Sequence, residues 1–374
     1  MTDVLIAGAG PAGSVAALVL ARAGVRVTLV DRAQFPRDKL CGDTINPGAM
    51  SVLRRLGLGP ATEGGLPVRG MVVTGEGVRV TGAYEEGHCG VSISRRVFDH
   101  RLVAAASAAG AQVQEGLLVH GPLMAPDGSA VTGLEIVTRS GHVERLAAAV
   151  TIAADGRSSR IARAVALART PDHPRRWAVG AIFEGVTGLT EFGEMHVRGH
   201  SYIGIAALPG GYANSCVVTA DRAALRRRDL LTTSIRDETD LAFRFANARR
   251  VSNMTMLGPL ALEARGAGMP GLLLAGDAAG FIDPMTGDGL RFAFRGGELA
   301  ALEALRALER GWGGAHLRLD AVRRREFGGK WRFNRSLRAL ASSPASVRAA
   351  GLCAAASPGM LRRVIRYAGD AGLA

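Results

Sequence analysis

Apolar residues fill Val4 to Ala7, and glycines then stand at positions 8, 10 and 13. A continuous apolar run of this length predicts a strand buried on both faces, as in a parallel sheet. Ser14 to Ala23 is almost wholly apolar and predicts a helix, closed by Gly24, and Val25 to Val30 predicts a second strand ending on Asp31. The same signature returns where Val150 to Ala154 runs into Asp155-Gly156, with a helix to follow, and where Leu272 to Ala275 runs into Gly276-Asp277. Elsewhere the periods differ. Met50, Leu53 and Leu56 fall on one face of a helix from Pro47 to Leu56, and Phe98, Leu102 and Ala105 on one face of a helix from Arg95 to Ala109. Residues 69–82, 111–119 and 131–138 alternate as strands, with turns at Gly75–Gly77 and Pro126-Asp127-Gly128. From Trp177 to about Ala220 the chain is strand-rich without helix alternation, broken at Pro209-Gly210-Gly211. Residues 221–249 read as helical, 251–260 as a strand and 288–309 as a long helix. Helices with breaks at Ser343-Pro344 and Ser357-Pro358 fill 315–369.

The fold class implied is α/β: a Rossmann-type domain whose strands arrive from three parts of the chain, an inserted, mostly antiparallel β-sheet domain, and C-terminal helices. The nucleotide-binding unit is expected in residues 1–68, 90–170 and 258–310, the inserted substrate sheet in 69–89 and 171–257, and the helical region in 311–374.

Gly8, Gly10 and Gly13 stand at G-x-G-x-x-G spacing between a strand and a helix, with Asp31 ending the next strand. The first glycine permits the tight turn, the second lets backbone approach a pyrophosphate, and the third lets helix and sheet pack closely. Unpaired N–H groups at the helix start favour phosphate, and the Asp31 carboxylate suits a ribose diol. This stretch predicts a dinucleotide site and leaves FAD against NAD open.

The formal charge of +13 changes the picture less than its size suggests. Lysine occurs only at Lys39 and Lys330, and the arginines are dispersed apart from short runs such as Arg226-Arg227-Arg228 and Arg323-Arg324-Arg325. A nucleic-acid footprint needs clustering, so no nucleic-acid partner is expected. An acidic cofactor or an anionic membrane surface fits the charge better. Cys41, Cys89, Cys216 and Cys353 form no C-x-x-C, which fits reduced thiols. With no signal peptide before Val4 and no apolar run of membrane-spanning length, a cytoplasmic protein is expected.

Three dispersed segments, the opening glycine motif, Asp155-Gly156 and Gly276-Asp277, together resemble the FAD-binding superfamily of p-hydroxybenzoate hydroxylase. Arg37-x-Lys39-x-Cys41-Gly42 and Asp283-Pro284-Met285-Thr286-Gly287-Asp288-Gly289 resemble its geranylgeranyl-reductase-like branch. The resemblance covers residues 1 to about 305, and Gly280 stands where the aromatic hydroxylases carry a histidine. It implies FAD, with Gly8, Gly10, Pro11, Ala12 and Gly13 at the pyrophosphate and Asp31 and Arg32 at the adenosine ribose. It places Gly276 and Asp277 at the ribityl chain or pyrophosphate, and Pro284, Gly287, Asp288, Gly289 and Leu290 at the isoalloxazine. Arg37, Lys39, Cys41 and Gly42 would flank the flavin ring, the first three as catalytic candidates. Arg95 reads either as a cofactor neighbour or as a surface arginine at a helix start, and Asp155 as a cofactor-organising residue or a helix cap. Cys41 also reads as a structural thiol, as do the other cysteines. His196 and His200 lack a third ligand, so no metal is expected.

The resemblance leaves the reaction open. Halogenation is excluded: no lysine lies between Lys39 and Lys330, and no Trp-x-Trp-x-Ile-Pro segment occurs. The Tyr-x-Trp-x-Phe-Pro segment usual in prenyl reductases here reads Tyr202-Ile203-Gly204-Ile205-Ala206-Ala207-Leu208-Pro209, with smaller side chains. A monooxygenase working through a flavin C4a-hydroperoxide, with NADH or NADPH as donor, is the first expectation. A C=C reductase or dehydrogenase is the alternative, and a flavin electron-transfer protein the third. The substrate is expected to be small and hydrophobic, in an apolar pocket between flavin and inserted sheet. Arg362, Arg363 and Arg366 would give the basic C-terminal helices a weak contact with a membrane surface or carrier protein. A monomer or homodimer is expected.

Overall fold

The computed structural model describes residues 2–75, 77–172, 175–227, 229–340 and 344–369. Arg228 of the arginine run, Ser343 of the expected break and the last five residues of the expected helical region lie outside them. The first sheet has six strands in the order Gly268–Met269, Leu272–Leu274, Val150–Ala153, Val4–Ala7, Val27–Asp31 and Gln112–Glu115. All neighbours run parallel except the Gly268–Met269 edge, and Val4 faces Val27 on one side and Val150 on the other. Strand order reverses there, so the crevice beyond Ala7 and Ala153 is the topological switch point.

Helices Pro11–Arg22, Arg95–Ala108 and Gly289–Arg310 cover one face, with Phe98 edge-on to Phe294 at 5.8 Å. A three-stranded sheet, Leu118–Met124, Val131–Val137 and Val143–Ala147, covers the other, burying Leu134 and Ile136 against Leu5 and Ala7. The first helix starts at Pro11, ahead of the Ser14 start that the apolar pattern predicts. Proline suits that first turn because its missing N–H has no helical partner there anyway.

The inserted sheet takes Gly70–Gly75 and Val78–Ala83 from early in the chain and Trp177–Glu184, Phe192–Arg198, Ser201–Leu208 and Tyr212–Thr219 from the middle. Phe192–Arg198 pairs with Gly70–Gly75 in parallel, and the other long pairings are antiparallel. The expected helical stretch 221–249 resolves into two short helices, Leu230–Arg236 and Thr239–Arg244, and a single turn at Ala224–Arg226. Leu231, Ile235 and Leu241 bury them on the outer face of this sheet.

The tail forms helices Ala315–Leu340, Pro344–Ala356 and Pro358–Ala368. The last packs on the strand Val78–Ala83, where Gly82 makes room: a Cβ there would lie 2.7 Å from Ile365 Cδ1. Among the described residues, no helix is long and apolar enough to cross a membrane.

Candidate active site

Two spaces meet at the switch point, a polar cleft and an apolar cavity. In the cleft, a Cβ at Gly8 (φ +96°) would strike the Ala154 carbonyl, and one at Gly13 would strike the carbonyl of Gly8. Both glycines serve close packing. At Gly10 the nearest atom to such a Cβ is Arg37 Nη2 at 3.9 Å, and Gly10 caps the helix without a side-chain bond. The helix start is therefore left without a side-chain cap beside open space, as an anion site requires. Ala12 is turned into the protein, against Gly276 (φ +58°) and Gly297. Asp31 accepts from Ala9 N and Ala33 N, each at 2.8 Å, which fixes its carboxylate at the strand end, while Arg32 is exposed.

A cationic wall stands opposite. Asp99 is bound by Arg95 at 2.6 and 2.8 Å and by Arg37 at 3.0 Å. Arg95 is only 6% exposed, so the surface reading of this residue falls. Burial opposes its charge, but Asp99 and Cys41 outweigh that and hold its pKa above the usual value. Among the described residues, Arg37 Nη1 is buried without a partner, an unmatched donor. Lys39 is surrounded by protein yet reaches solvent through the cleft; burial and then Arg95 lower its pKa. Asp277 faces the same cluster: burial raises its pKa against the opposing pull of Lys39, Arg95 and Arg157.

Cys41 is half-buried, and its carbonyl accepts from Asn214 Nδ2 at 2.8 Å. The same amide donates to Asp43 Oδ2 at 2.5 Å, while Arg95 N donates to Asp43 Oδ1 at 3.1 Å. Burial raises the Asp43 pKa to about 6 despite these bonds. Gly42 lies exposed between them. Asp155 accepts from Arg160 N at 2.9 Å, bracing the turn before helix Arg160–Ala164, whose N-cap is Ser159. The other Asp155 oxygen is buried without a partner among the described residues.

Pro284–Thr286 forms a tight turn, and Gly287 beyond it is left-handed at φ +69°. Asp283 starts the turn, accepting from Met285 N at 3.0 Å, Tyr202 Oη at 2.9 Å and Arg176 at 3.3 Å. The long helix opens at Gly289. The Asp288 side chain points inward, 3.3 Å from Lys330 Nζ, 3.3 Å from Asn334 Nδ2 and 3.4 Å from Asn46 Nδ2. Leu290 is also buried, so at both positions it is the backbone that the turn presents.

The apolar cavity, about 280 Å³, lies between this turn and the inserted sheet. Its walls include Met71 and Val73 from one strand, Met195 and Val197 from the next, and Tyr202, Gly204 and Cys216. Burial pushes the Cys216 thiol up to about 12, which fits an inert wall residue. The roof was not foreseen: Leu337, Leu340, Val347, Leu361, Val364 and Ile365 come from the C-terminal helices. The spacing of Leu361, Val364 and Ile365 carried the signal, an apolar face opposite Arg362, Arg363 and Arg366. Lys330 fastens this roof, donating to the carbonyl of Tyr367 and, at 3.0 Å, to that of Ala368. It was legible as one of only two lysines.

His196 lies in the strand Phe192–Arg198, 2.9 Å from Thr74 Oγ1 and 3.1 Å from Glu194 Oε2, which Arg244 binds. Among the described residues, no three His, Cys, Asp or Glu side chains group as a metal site.

The family described as FAD binding domain matches residues 1–328. Digeranylgeranylglycerophospholipid reductase 1 of Methanopyrus kandleri is 32% identical over 335 residues, 82% of this chain and 81% of that protein. Menaquinone reductase of Mycolicibacterium smegmatis is 29% identical over 320 residues, 80% of this chain and 75% of the other. A flavin-dependent brominase superposes with a TM-score of 0.85 at 22% identity, over 98% of this chain and 93% of its own. A geranylgeranyl bacteriochlorophyll reductase-like protein of Thermoplasma acidophilum gives 0.80 at 21%, over 92% and 89%. The chain belongs to the FAD-binding-domain family and is an FAD-dependent oxidoreductase of the p-hydroxybenzoate hydroxylase superfamily, on its geranylgeranyl-reductase-like branch.

Proposed function

We propose that the protein is an FAD-dependent reductase that saturates a carbon–carbon double bond in a lipophilic, isoprenoid-like molecule, with NADH or NADPH as electron donor. The observation that carries this reading is the apolar cavity roofed by the C-terminal helices and floored by the turn Pro284–Gly287. The reductases among the curated relatives support it. The cleft fits FAD: open space at Gly10, an uncapped helix start and the unmatched Arg37 Nη1 suit a pyrophosphate, with Asp31 at the adenosine ribose. The backbone of Pro284 to Gly289, with Lys39 to Gly42 opposite, would hold the ring system. FAD supplies hydride-transfer chemistry when bound. Tyr202 lies on the cavity wall with its hydroxyl donated to Asp283 at 2.9 Å, and burial and then Asp283 raise its pKa, so it stays protonated and fixes that wall.

Monooxygenation is the second reading, favoured by the small wall at Gly204 and Cys216, which leaves width for a ring. One experiment separates the two. Flavin-loaded protein is reduced without oxygen and mixed with polyprenyl or quinone alkenes. Return of the oxidised-flavin spectrum in step with a product two hydrogens heavier is expected. A product that forms only with oxygen and gains one oxygen atom would overturn the reductase and establish the second reading.

We also propose that the exposed Arg362, Arg363 and Arg366 give the roof a weak contact with anionic lipid. Sedimentation with phosphatidylglycerol vesicles tests this, and equal recovery with neutral vesicles would dismiss it.

A further inference from the structure

A second cavity, about 270 Å³, lies behind the turn Pro284–Gly287, and its lining is of a different kind. Three half-buried rings, Phe281, Phe292 and Trp331, turn surface towards it. Its carboxylates are already matched: Glu263 by Arg169 at 3.0 Å, Asp283 by Arg176 at 3.3 Å and Asp288 by Lys330 at 3.3 Å. Its arginines exceed that demand. Arg265 and Arg335 are exposed at its rim with no carboxylate partner among the described residues, and Arg338 stands beside them. Burial lowers the Arg338 pKa, Asp283 and more weakly Glu263 pull it back up, and the neighbouring Arg176 and Arg335 push it down again. Inside, Asn334 is 4% exposed; its Nδ2 is committed to Asp288, and its Oδ1 is buried with no partner among the described residues. Trp331, Asn334, Arg335 and Arg338 recur at helical spacing on one face of Ala315–Leu340, so one helix presents ring, acceptor and cations together.

We infer that this cavity is a binding site for a planar aromatic ring carrying an anionic group. The rings receive its face and the surplus guanidiniums its charge. A purely apolar ligand leaves the arginines unmatched, and a bare anion leaves the rings uncovered. The ring-bearing anion has two sources, an aromatic carboxylate or an adenine nucleotide.

The test uses the full chain loaded with FAD and follows tryptophan fluorescence during titration with 1-naphthoate and, separately, with AMP. Saturable quenching by one of the two is expected, and which one binds tells the carboxylate source from the nucleotide source. The affinity of that probe should fall at least tenfold in Arg335→Glu and in Arg265→Glu, both at exposed positions. Trp331→Phe should remove the signal. Gly204→Trp, which obstructs the first cavity, should leave binding unchanged. The inference is overturned if neither probe binds, if cyclohexanecarboxylate or 1-naphthalenemethanol binds as well, if the arginine variants bind normally, or if Gly204→Trp abolishes binding.

Discussion

The cleft and the apolar cavity share the turn Pro284–Gly287 but are built on opposite principles. The cleft is made of backbone: glycines with forced dihedrals or close contacts, a helix start, and charges fixed by hydrogen bonds from neighbouring segments. The cavity is made of side chains from strands near residues 70 and 200 and from helices beyond residue 336, brought together only by packing. Backbone geometry tolerates almost no substitution at a few positions, whereas a side-chain wall spreads its tolerance over many. The cleft thus keeps one cofactor while the cavity is free to change its ligand.

Four substitutions sharpen the contrast, in descending order of effect. Gly13→Val drives a branched side chain into the Gly8 carbonyl and should cost more than about 3 kcal/mol, read as loss of the cooperative thermal transition. Gly10→Val meets open space, so the fold should survive with an unchanged Tm while FAD affinity falls roughly 100-fold, about 2.7 kcal/mol, by equilibrium dialysis. A comparable loss of Tm in both variants would break the distinction between packing glycine and cofactor glycine. Lys330→Met removes the charge that fastens the roof and leaves Asp288 short of one partner. A loss of about 2 kcal/mol in denaturant melts is expected, with a raised KM and retained flavin. Gly204→Trp fills the cavity beside Cys216 and should lower kcat/KM at least about tenfold, about 1.4 kcal/mol, at unchanged FAD affinity.

A separate effect is confined to the pH profile. Burial first, and Asp99 more weakly, raise Asp43 to about 6 from its ordinary value of 3.8, so the folded state holds this proton more tightly than the unfolded chain. Its contribution is therefore present below the unfolded value and is lost as pH rises towards 6, at no more than about 1.4 kcal/mol per pH unit. Asp43→Asn should flatten the stability of the FAD-free protein over pH 4 to 6. An unchanged slope would show that Asp43 titrates alike in the folded and unfolded states.

Much of the cleft was readable in advance because its signals are local. Gly8, Gly10, Gly13 and Asp31 lie within one strand–helix–strand unit, and the runs Val150 to Ala154 and Leu272 to Ala275 repeat its strand pattern. Arg95 resisted reading: a helix-start arginine looks the same in sequence whether exposed or sealed by Asp99 four residues on and by Arg37 from another loop. Asp288 and Leu290 were read as presenting backbone N–H groups to the cofactor, and their side chains answer to Lys330 and to the core.

The sequence by itself determined the parallel nucleotide fold, the inserted sheet and the glycine geometry of the cleft, because each follows from periodicity and backbone sterics within a few residues. Only the tertiary structure decided that the C-terminal helices roof the cavity, that Lys330 fastens them, and that a second, arginine-rimmed cavity lies behind the turn. Those features depend on which amphipathic face meets which partner across hundreds of residues, and burial energy rewards any apolar contact without naming it in advance.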